Sequence, residues 1–160
     1  MRCLGLVLGV GAALACCGLS ACGGEGEGGG AGGAISTQPL SGKIGGKAWT
    51  FATGETNVFL SMEDDFFVEL YDAAFTACGA DAPVDGNSFI FSLPKMAGDY
   101  QLGLTRNATF YDGSTAFNRV ATRGHIRIDS VTATTITGGA NVTFDANNTA
   151  DGTFQATICP

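Results

Sequence analysis

The C-terminal third of the chain alternates apolar and polar residues with a period of two, the period that a β-strand converts into one apolar face. Three runs share this pattern, and turn-like segments at 132–134 and 145–152 separate them. The apolar positions are Ile126 and Ile128, then Ile136, Gly138, Ala140, Val142 and Phe144, and finally Phe154, Ala156 and Ile158. The pattern predicts a three-stranded antiparallel meander with one face on a core and a Thr-rich face toward solvent.

Shorter stretches of the same kind predict further strands earlier in the chain. They lie at 48–51, 57–62, 66–71, 89–93, 100–104 and 109–111. In the third of these, Phe66, Val68 and Leu70 are expected to point inward, and Phe67, Glu69 and Tyr71 outward. Residues 112–123 are expected to form a long surface loop, and 73–77 a helical turn or a strand end.

The patterns add up to roughly eight to ten strands with no long amphipathic helix, so the predicted fold class is all-β. An antiparallel β-sandwich is the favoured architecture, and a small closed β-barrel is the alternative, because either one buries one face of every strand.

The N-terminus has the layout of a secretory signal. Arg2 is the only charge before Glu25, and residues 4–19 are apolar or small. A membrane-spanning helix needs roughly 20 such residues, and four glycines weaken this stretch as a helix. A cleaved signal is therefore the favoured interpretation.

The segment Leu19-Ser20-Ala21-Cys22 resembles the lipobox of bacterial lipoproteins. The resemblance implies a diacylglyceryl thioether on Cys22, cleavage after Ala21, and a further acyl chain, such as palmitate, on the new α-amine. Two or three chains give stable membrane anchoring. Gly23 stands where an Asp often retains lipoproteins in the inner membrane, which favours the outer membrane. The alternative is an ordinary secretory signal that leaves Cys22 as a plain thiol.

The expected organisation is a signal peptide at 1–21, a lipidated Cys22 with a Gly-rich flexible linker at 22–37, and a β-domain at 38–160. Residues Gly46-Lys47-Ala48-Trp49 near its start, and Gly152-Thr153-Phe154 and Cys159 near its end, loosely resemble small β-domains of surface lipoproteins of unknown function. That resemblance brings no known catalytic residues.

The six cysteines divide by position. Cys3, Cys16 and Cys17 leave with the signal and Cys22 takes lipid, so Cys78 and Cys159 remain as a pair. In an oxidising compartment such a pair is expected to form a disulfide. A metal site is the less favoured alternative, since the chain has one histidine and no Cys-x-x-Cys spacing; no metal or cofactor is expected.

The remaining polar residues give no catalytic constellation, and the chain is expected not to be an enzyme. His125 is expected to be an exposed strand residue, without the Gly-x-Ser-x-Gly context of a serine hydrolase. The acidic run at 63–65 is expected to face water, although calcium is a weaker alternative there. Calcium is a similar alternative for a second set of residues. That set is Asp145, Asn147, Asn148 and Asp151.

The net charge and the predicted anchor together limit the function that we expect. The net charge of −7, from 15 acidic and 8 basic residues, argues against nucleic-acid binding. We expect a lipid-anchored binding or structural module of the cell envelope that contacts the membrane through Cys22 and has an unidentified protein or carbohydrate partner. One alternative is a tethered glycan hydrolase, which needs two facing carboxylates. The other is a small-molecule or lipid carrier with a barrel cavity. The carboxylates scattered along the chain include Asp72, Asp81, Asp85, Asp99 and Asp112.

Overall fold

The computed structural model describes residues 33–80, 82–83 and 85–160. The predicted signal peptide, the lipobox with Cys22 and most of the Gly-rich linker lie outside these residues. The described part is all-β and contains no helix. Its strands are β1 (Ser41–Ile44), β2 (Lys47–Thr50), β3 (Thr53–Thr56), β4 (Asp65–Tyr71), β5 (Ser88–Pro94), β6 (Gly98–Gln101), β7 (Ala108–Asp112), β8 (Phe117–Ala121), β9 (Gly124–Val131), β10 (Thr135–Asp145) and β11 (Asn148–Thr157).

All the strands belong to one curled, open sheet. Nine follow in the order β6-β9-β10-β11-β3-β4-β5-β7-β8, and β1 and β2 join it beside β11. β11 is the central element: one edge pairs with β10, and the other pairs with β1 near its start and with β3 near its end. The curl leaves β6 and β8 unpaired with each other, so the sheet does not close.

The core lies inside the curl and is filled by aromatic and aliphatic side chains. Phe89 and Phe110 are fully buried with ring centroids 4.9 Å apart. Phe91 meets Phe154 across the curl at 5.5 Å, although two strands separate β5 from β11 within the sheet. Trp49, the only tryptophan, is 1% exposed. Burial of these large apolar surfaces is the main stabilising contribution.

The C-terminal meander is confirmed, with one change at its second turn. β9, β10 and β11 pair antiparallel as the alternation predicts. β11 begins at Asn148, however, so the turn is much shorter than the predicted connection at 145–152. A bulge between Thr143 and Asp145 shifts the register of β10, and Phe144, expected in the core, is 44% exposed.

The strand predicted at 57–62 is wrong. Asn57 Oδ1 accepts the N–H groups of Phe59 and Leu60 at 3.1 and 3.3 Å, which folds the backbone into an Asx turn. The preceding strand is β3, and the apolar side chains of the loop point to solvent, with Phe59 94% exposed. A regular apolar spacing is therefore outweighed here by two local hydrogen bonds to one side chain.

Two other local predictions are also corrected. The surface loop expected at 112–123 contains a strand, β8, which pairs with β7 from Ala108↔Ala121 to Asp112↔Phe117. The segment 73–77 is neither helix nor strand. The facing of β4 is confirmed for Phe66, Val68 and Leu70; its last residue, Tyr71, expected outside, is 7% exposed because it packs edge-on against Phe75.

Candidate functional site

A concave site lies on the outer face of strands β4, β5 and β7, and we call it the outer cleft. Its volume is about 430 Å³. Residues that line it include Met62, Asp65, Phe67, Ile90, Ser92, Arg106, Thr109 and Asn118. The floor consists of two cross-strand pairs, Phe67 with Ser92 and Ile90 with Thr109. Since the alternate residues of these strands fill the core, their outward neighbours are left to form this surface.

Two loops form the rims of the outer cleft. On one side, Lys95 Nζ donates to the carbonyls of Met62 and Glu63 at 2.7 and 2.9 Å, which holds the loop that carries Met62. On the other side, the Arg106 guanidinium lies 5.2 Å from the centre of the Tyr100 ring. Arg106 has no ion pair with any residue that the structure describes. The cleft thus combines a floor of mixed polarity, in which Phe67 and Ile90 lie beside Ser92 and Thr109, with an unpaired cation at its rim.

A second concave site lies where three hairpin turns meet, and we call it the turn-end pocket. The turns are those between β1 and β2, β7 and β8, and β10 and β11, and the pocket volume is about 280 Å³. Its lining is Gly45, Asp112, Thr115, Phe117, Arg119, Asp145, Asn147 and Asn148. Arg119 pairs in register with the buried Phe110, so it lies on the core-facing side of β8, opposite the side that borders the outer cleft.

The turn-end pocket holds two carboxylates and one guanidinium. Hydrogen bonds from Ser114 lower the pKa of Asp112, and the side chain of Asn148 lowers that of Asp145, so both carboxyls are ionised at neutral pH. The Arg119 guanidinium stacks on the Phe117 ring at 3.7 Å. Its Nη1 is buried and has no hydrogen-bond partner within the described part of the chain.

A third cluster of polar groups lies on the outer side of β3 and β4. Glu55 and Glu69 are directly opposite each other in the register. Burial raises the pKa of the Glu69 carboxyl, and the charge of Glu55 adds to this, against a lowering hydrogen bond from Asn57 at 3.2 Å. Burial is also the main cause that raises the pKa of Tyr71. This carboxylate pair was not predicted, because nothing in the sequence sets the pairing of β3 with β4.

The predicted cysteine pair lies beside Glu55. Cys78 and Cys159 form a disulfide with a Cα–Cα distance of 5.3 Å, and the Cys78 N–H donates to the Glu55 carboxylate. The two sulfurs and Glu55 are close enough together to suggest a metal site. Because the disulfide removes both thiolates, these residues do not supply the ligand set that a structural zinc site needs.

His125 lies in a different environment from the one predicted. It is 8% exposed, its Nδ1 lies 2.8 Å from Asp99 Oδ1, and its Nε2 lies 3.1 Å from the Gly33 carbonyl oxygen. Each ring nitrogen therefore faces a hydrogen-bond acceptor. The expectation of an exposed histidine failed because the segment 33–36 covers the outer face of β9 and β10.

That covering segment, residues 33–36, is called the strap below. Asn141 Nδ2 donates to the Ala34 carbonyl at 3.3 Å, and the Ser36 N–H donates to Asp151 Oδ1 at 2.9 Å. A Cβ at Gly139 would lie 2.7 Å from Ile35 Cγ2, so the small glycine is what lets Ile35 approach the sheet. The Asp151 carboxylate therefore binds the strap.

The remaining predicted carboxylates are dispersed. Asp145, Asn147 and Asn148 meet in the turn-end pocket without Asp151. Glu63 and Asp64 are exposed, and Asp65 lies in the outer cleft. Of the scattered group, Asp112 lines the turn-end pocket, Asp99 contacts His125, and Asp81 lies outside the described residues.

Comparison with protein-family models, with curated proteins and with solved structures found no match. The part of the chain that the structure describes includes no helix that could span a membrane.

Proposed function

We propose that the chain is a lipoprotein of the bacterial cell envelope, held in the outer membrane by lipid on Cys22, whose β-domain binds an envelope ligand. The lipobox and the Gly-rich segment support the anchor. For the domain we propose a β-sandwich arrangement, with a closed barrel as the alternative, because the sheet folds back over a shared core while its end strands stay apart.

The outer cleft is the observation that carries the binding proposal. In this cleft the partly exposed side chains of Phe67 and Ile90 lie on the outer face of the sheet near Arg106, which has no ion pair within the described residues. Binding sites typically combine an apolar surface with a few placed polar groups. The chemistry fits a ligand with one apolar face and an acidic or carbonyl group that reaches Arg106.

The two alternative functions have less support. A glycan hydrolase needs a protonated acid beside a carboxylate, both open to the substrate. Asp112 and Asp145, which share one pocket, both have lowered pKa values. The Glu55–Glu69 pair includes one raised pKa, but Glu55 is buried and accepts the Cys78 N–H, and Glu69 accepts a hydrogen bond from Asn57. A carrier needs an internal cavity, whereas Trp49, Phe89 and Phe110 occupy the space inside the curl.

The anchor is tested by the intact mass of the protein from its native membrane fraction. We expect a chain that begins at Cys22 and carries acyl mass, and a Cys22→Ala variant that is no longer processed in this way. An unlipidated secreted chain would contradict the anchor and leave the binding proposal to be tested separately.

Binding at the outer cleft is tested in cells that express the full chain with a photo-cross-linking residue at Ser92, on the cleft floor. The matched control places the same residue at Gln155, an exposed outward position of β11. We expect one discrete adduct from Ser92, none from Gln155, and loss of the adduct when Ile90→Arg blocks the cleft. Equal labelling at both positions, or labelling that Ile90→Arg leaves unchanged, would overturn the assignment.

A further inference from the structure

We infer that the turn-end pocket is a second binding site, independent of the outer cleft, and that its ligand is a neutral saccharide. The two sites lie on opposite sides of β8: Asn118 borders the outer cleft, whereas Phe117 and Arg119 line the turn-end pocket. The inference therefore does not depend on what the outer cleft binds.

The charges of the pocket disfavour an anion, because two ionised carboxylates, Asp112 and Asp145, outweigh the one Arg119 guanidinium. The guanidinium in turn weakens the attraction of the two carboxylates for a metal cation. Arg119 and Asp145 line the same small pocket, and the charge of Arg119 is one of the causes that lower the pKa of Asp145. Within the described residues, however, they form no ion pair within 4.0 Å. A positive and a negative group are thus held apart across a small space.

A hydroxyl group is the ligand chemistry that bridges such a space. It accepts a hydrogen bond from a guanidinium and donates one to a carboxylate at the same time. Asp145 Oδ1 is already used by the Asn147 N–H and by Asn148 Nδ2, both at 2.8 Å. Its Oδ2 has no hydrogen-bond partner in the part of the chain that the structure describes, and it remains available to a ligand.

The aromatic ring at the pocket supplies the apolar half of saccharide recognition. Phe117 is 53% exposed, and Arg119 stacks on the ring. The ring area that remains open suits the C–H face of a pyranose, while the polar side chains suit its hydroxyls. A ligand oxygen that draws the guanidinium toward it also relieves the cost of the unpartnered, buried Nη1.

The pocket is organised before any ligand arrives. Asn148 is 3% exposed, and its Oδ1 accepts the Gly45 N–H at 3.0 Å. The Gly46 N–H donates to the Asn147 carbonyl at 2.9 Å, which ties the β1–β2 turn to the β10–β11 turn. Side chains that are held in place in this way lose little freedom on binding.

The test uses the full chain, purified in a detergent without a sugar headgroup. Glucose, galactose, mannose and N-acetylglucosamine are titrated one at a time and followed by saturation-transfer NMR. We expect saturable binding of at least one sugar, with a Kd on the order of 1 mM, as suits a few hydrogen bonds and one ring contact.

Three variants separate the pocket from the rest of the fold. Asp145→Asn keeps the Oδ1 acceptor for its own turn but removes the charged Oδ2, and Phe117→Ala removes the ring; each is expected to weaken binding about tenfold. Arg123→Gln removes an exposed arginine outside the pocket, and we expect it to leave the affinity unchanged. Thermal unfolding of each variant establishes that it is folded.

Each other outcome overturns the inference. No saturable binding by any of the four sugars would do so, as would binding that Asp145→Asn and Phe117→Ala leave intact. Parallel titrations with Ca²⁺ and with inorganic phosphate identify the alternatives: if either ion binds at Asp145 or Arg119 while the sugars do not, the pocket is an ion site.

Discussion

Removal of the Cys78–Cys159 disulfide is expected to destabilise the domain more than any single substitution on its surface. The bond joins residues 81 apart in the sequence. By the loop-entropy relation, a cross-link of that span stabilises the folded state by about 4.5 kcal/mol, as an upper value. Domains of this size are typically stable by roughly 5–15 kcal/mol, so at that upper value the double variant Cys78→Ser/Cys159→Ser should lose between about a third and about nine-tenths of its stability. We expect the Tm to fall by roughly 15 °C.

The assay follows urea unfolding through the fluorescence of Trp49, the only tryptophan, which is buried in the core. The wild-type chain is measured oxidised and reduced, beside the double variant. The reduced wild type is the matched control, because it lacks the bond but keeps every atom near Glu55. Agreement of all three within about 1 kcal/mol would refute the reasoning, since the unfolded chain would then gain no freedom when the loop opens.

Three further predictions concern the core, the carboxylate pair and the strap. Phe110→Ala should cost about 3–5 kcal/mol in urea unfolding, because it empties a fully buried site; a loss under 1 kcal/mol would contradict the packing. Because the folded-state pKa of Glu69 is raised above 4.5, wild-type stability should fall as pH rises through that higher value. Glu69→Gln should abolish this decline, and an unchanged pH profile would show another group to be responsible. His125→Ala should speed hydrogen exchange at residues 33–36, since it removes the contacts to Asp99 and Gly33; unchanged exchange would mean that the strap is held elsewhere.

The parts of the fold that the sequence predicts are those whose information is local. Period-two alternation identifies β4, β5 and the C-terminal meander because each of these strands has one face in the core. Alternation does not identify the structure where local hydrogen bonds compete, as at Asn57, or where a strand lies at the sheet edge with few buried side chains, as for β8. An edge strand such as Phe117–Ala121 has too little apolar alternation to be distinguished from a loop.

The candidate sites are less predictable because long-range pairing builds them. The turn-end pocket brings Gly45, Asp112 and Asp145 together from three separate hairpins. No local sequence pattern predicts which hairpin turns lie at the same end of the sheet. The outer cleft leaves a weak signal, the apolar residues Phe67 and Ile90 on strands whose alternate residues are also apolar. Apolar residues on both faces of a strand indicate that both faces have something to contact, and this signal was available in the sequence.

The strap determines where the linker from the proposed anchor enters the domain. Gly33 is bound against His125 and Ser36 against Asp151, so the chain enters the domain over β9, β10 and β11. The outer cleft lies on β4, β5 and β7, on the other side of β3 in the sheet. If Cys22 carries lipid as proposed, the flexible linker joins the domain at one arm of the curled sheet, and the outer cleft lies on the other arm. Because such a linker lets the domain reorient, the cleft can face away from the membrane, as a membrane-tethered binding module needs.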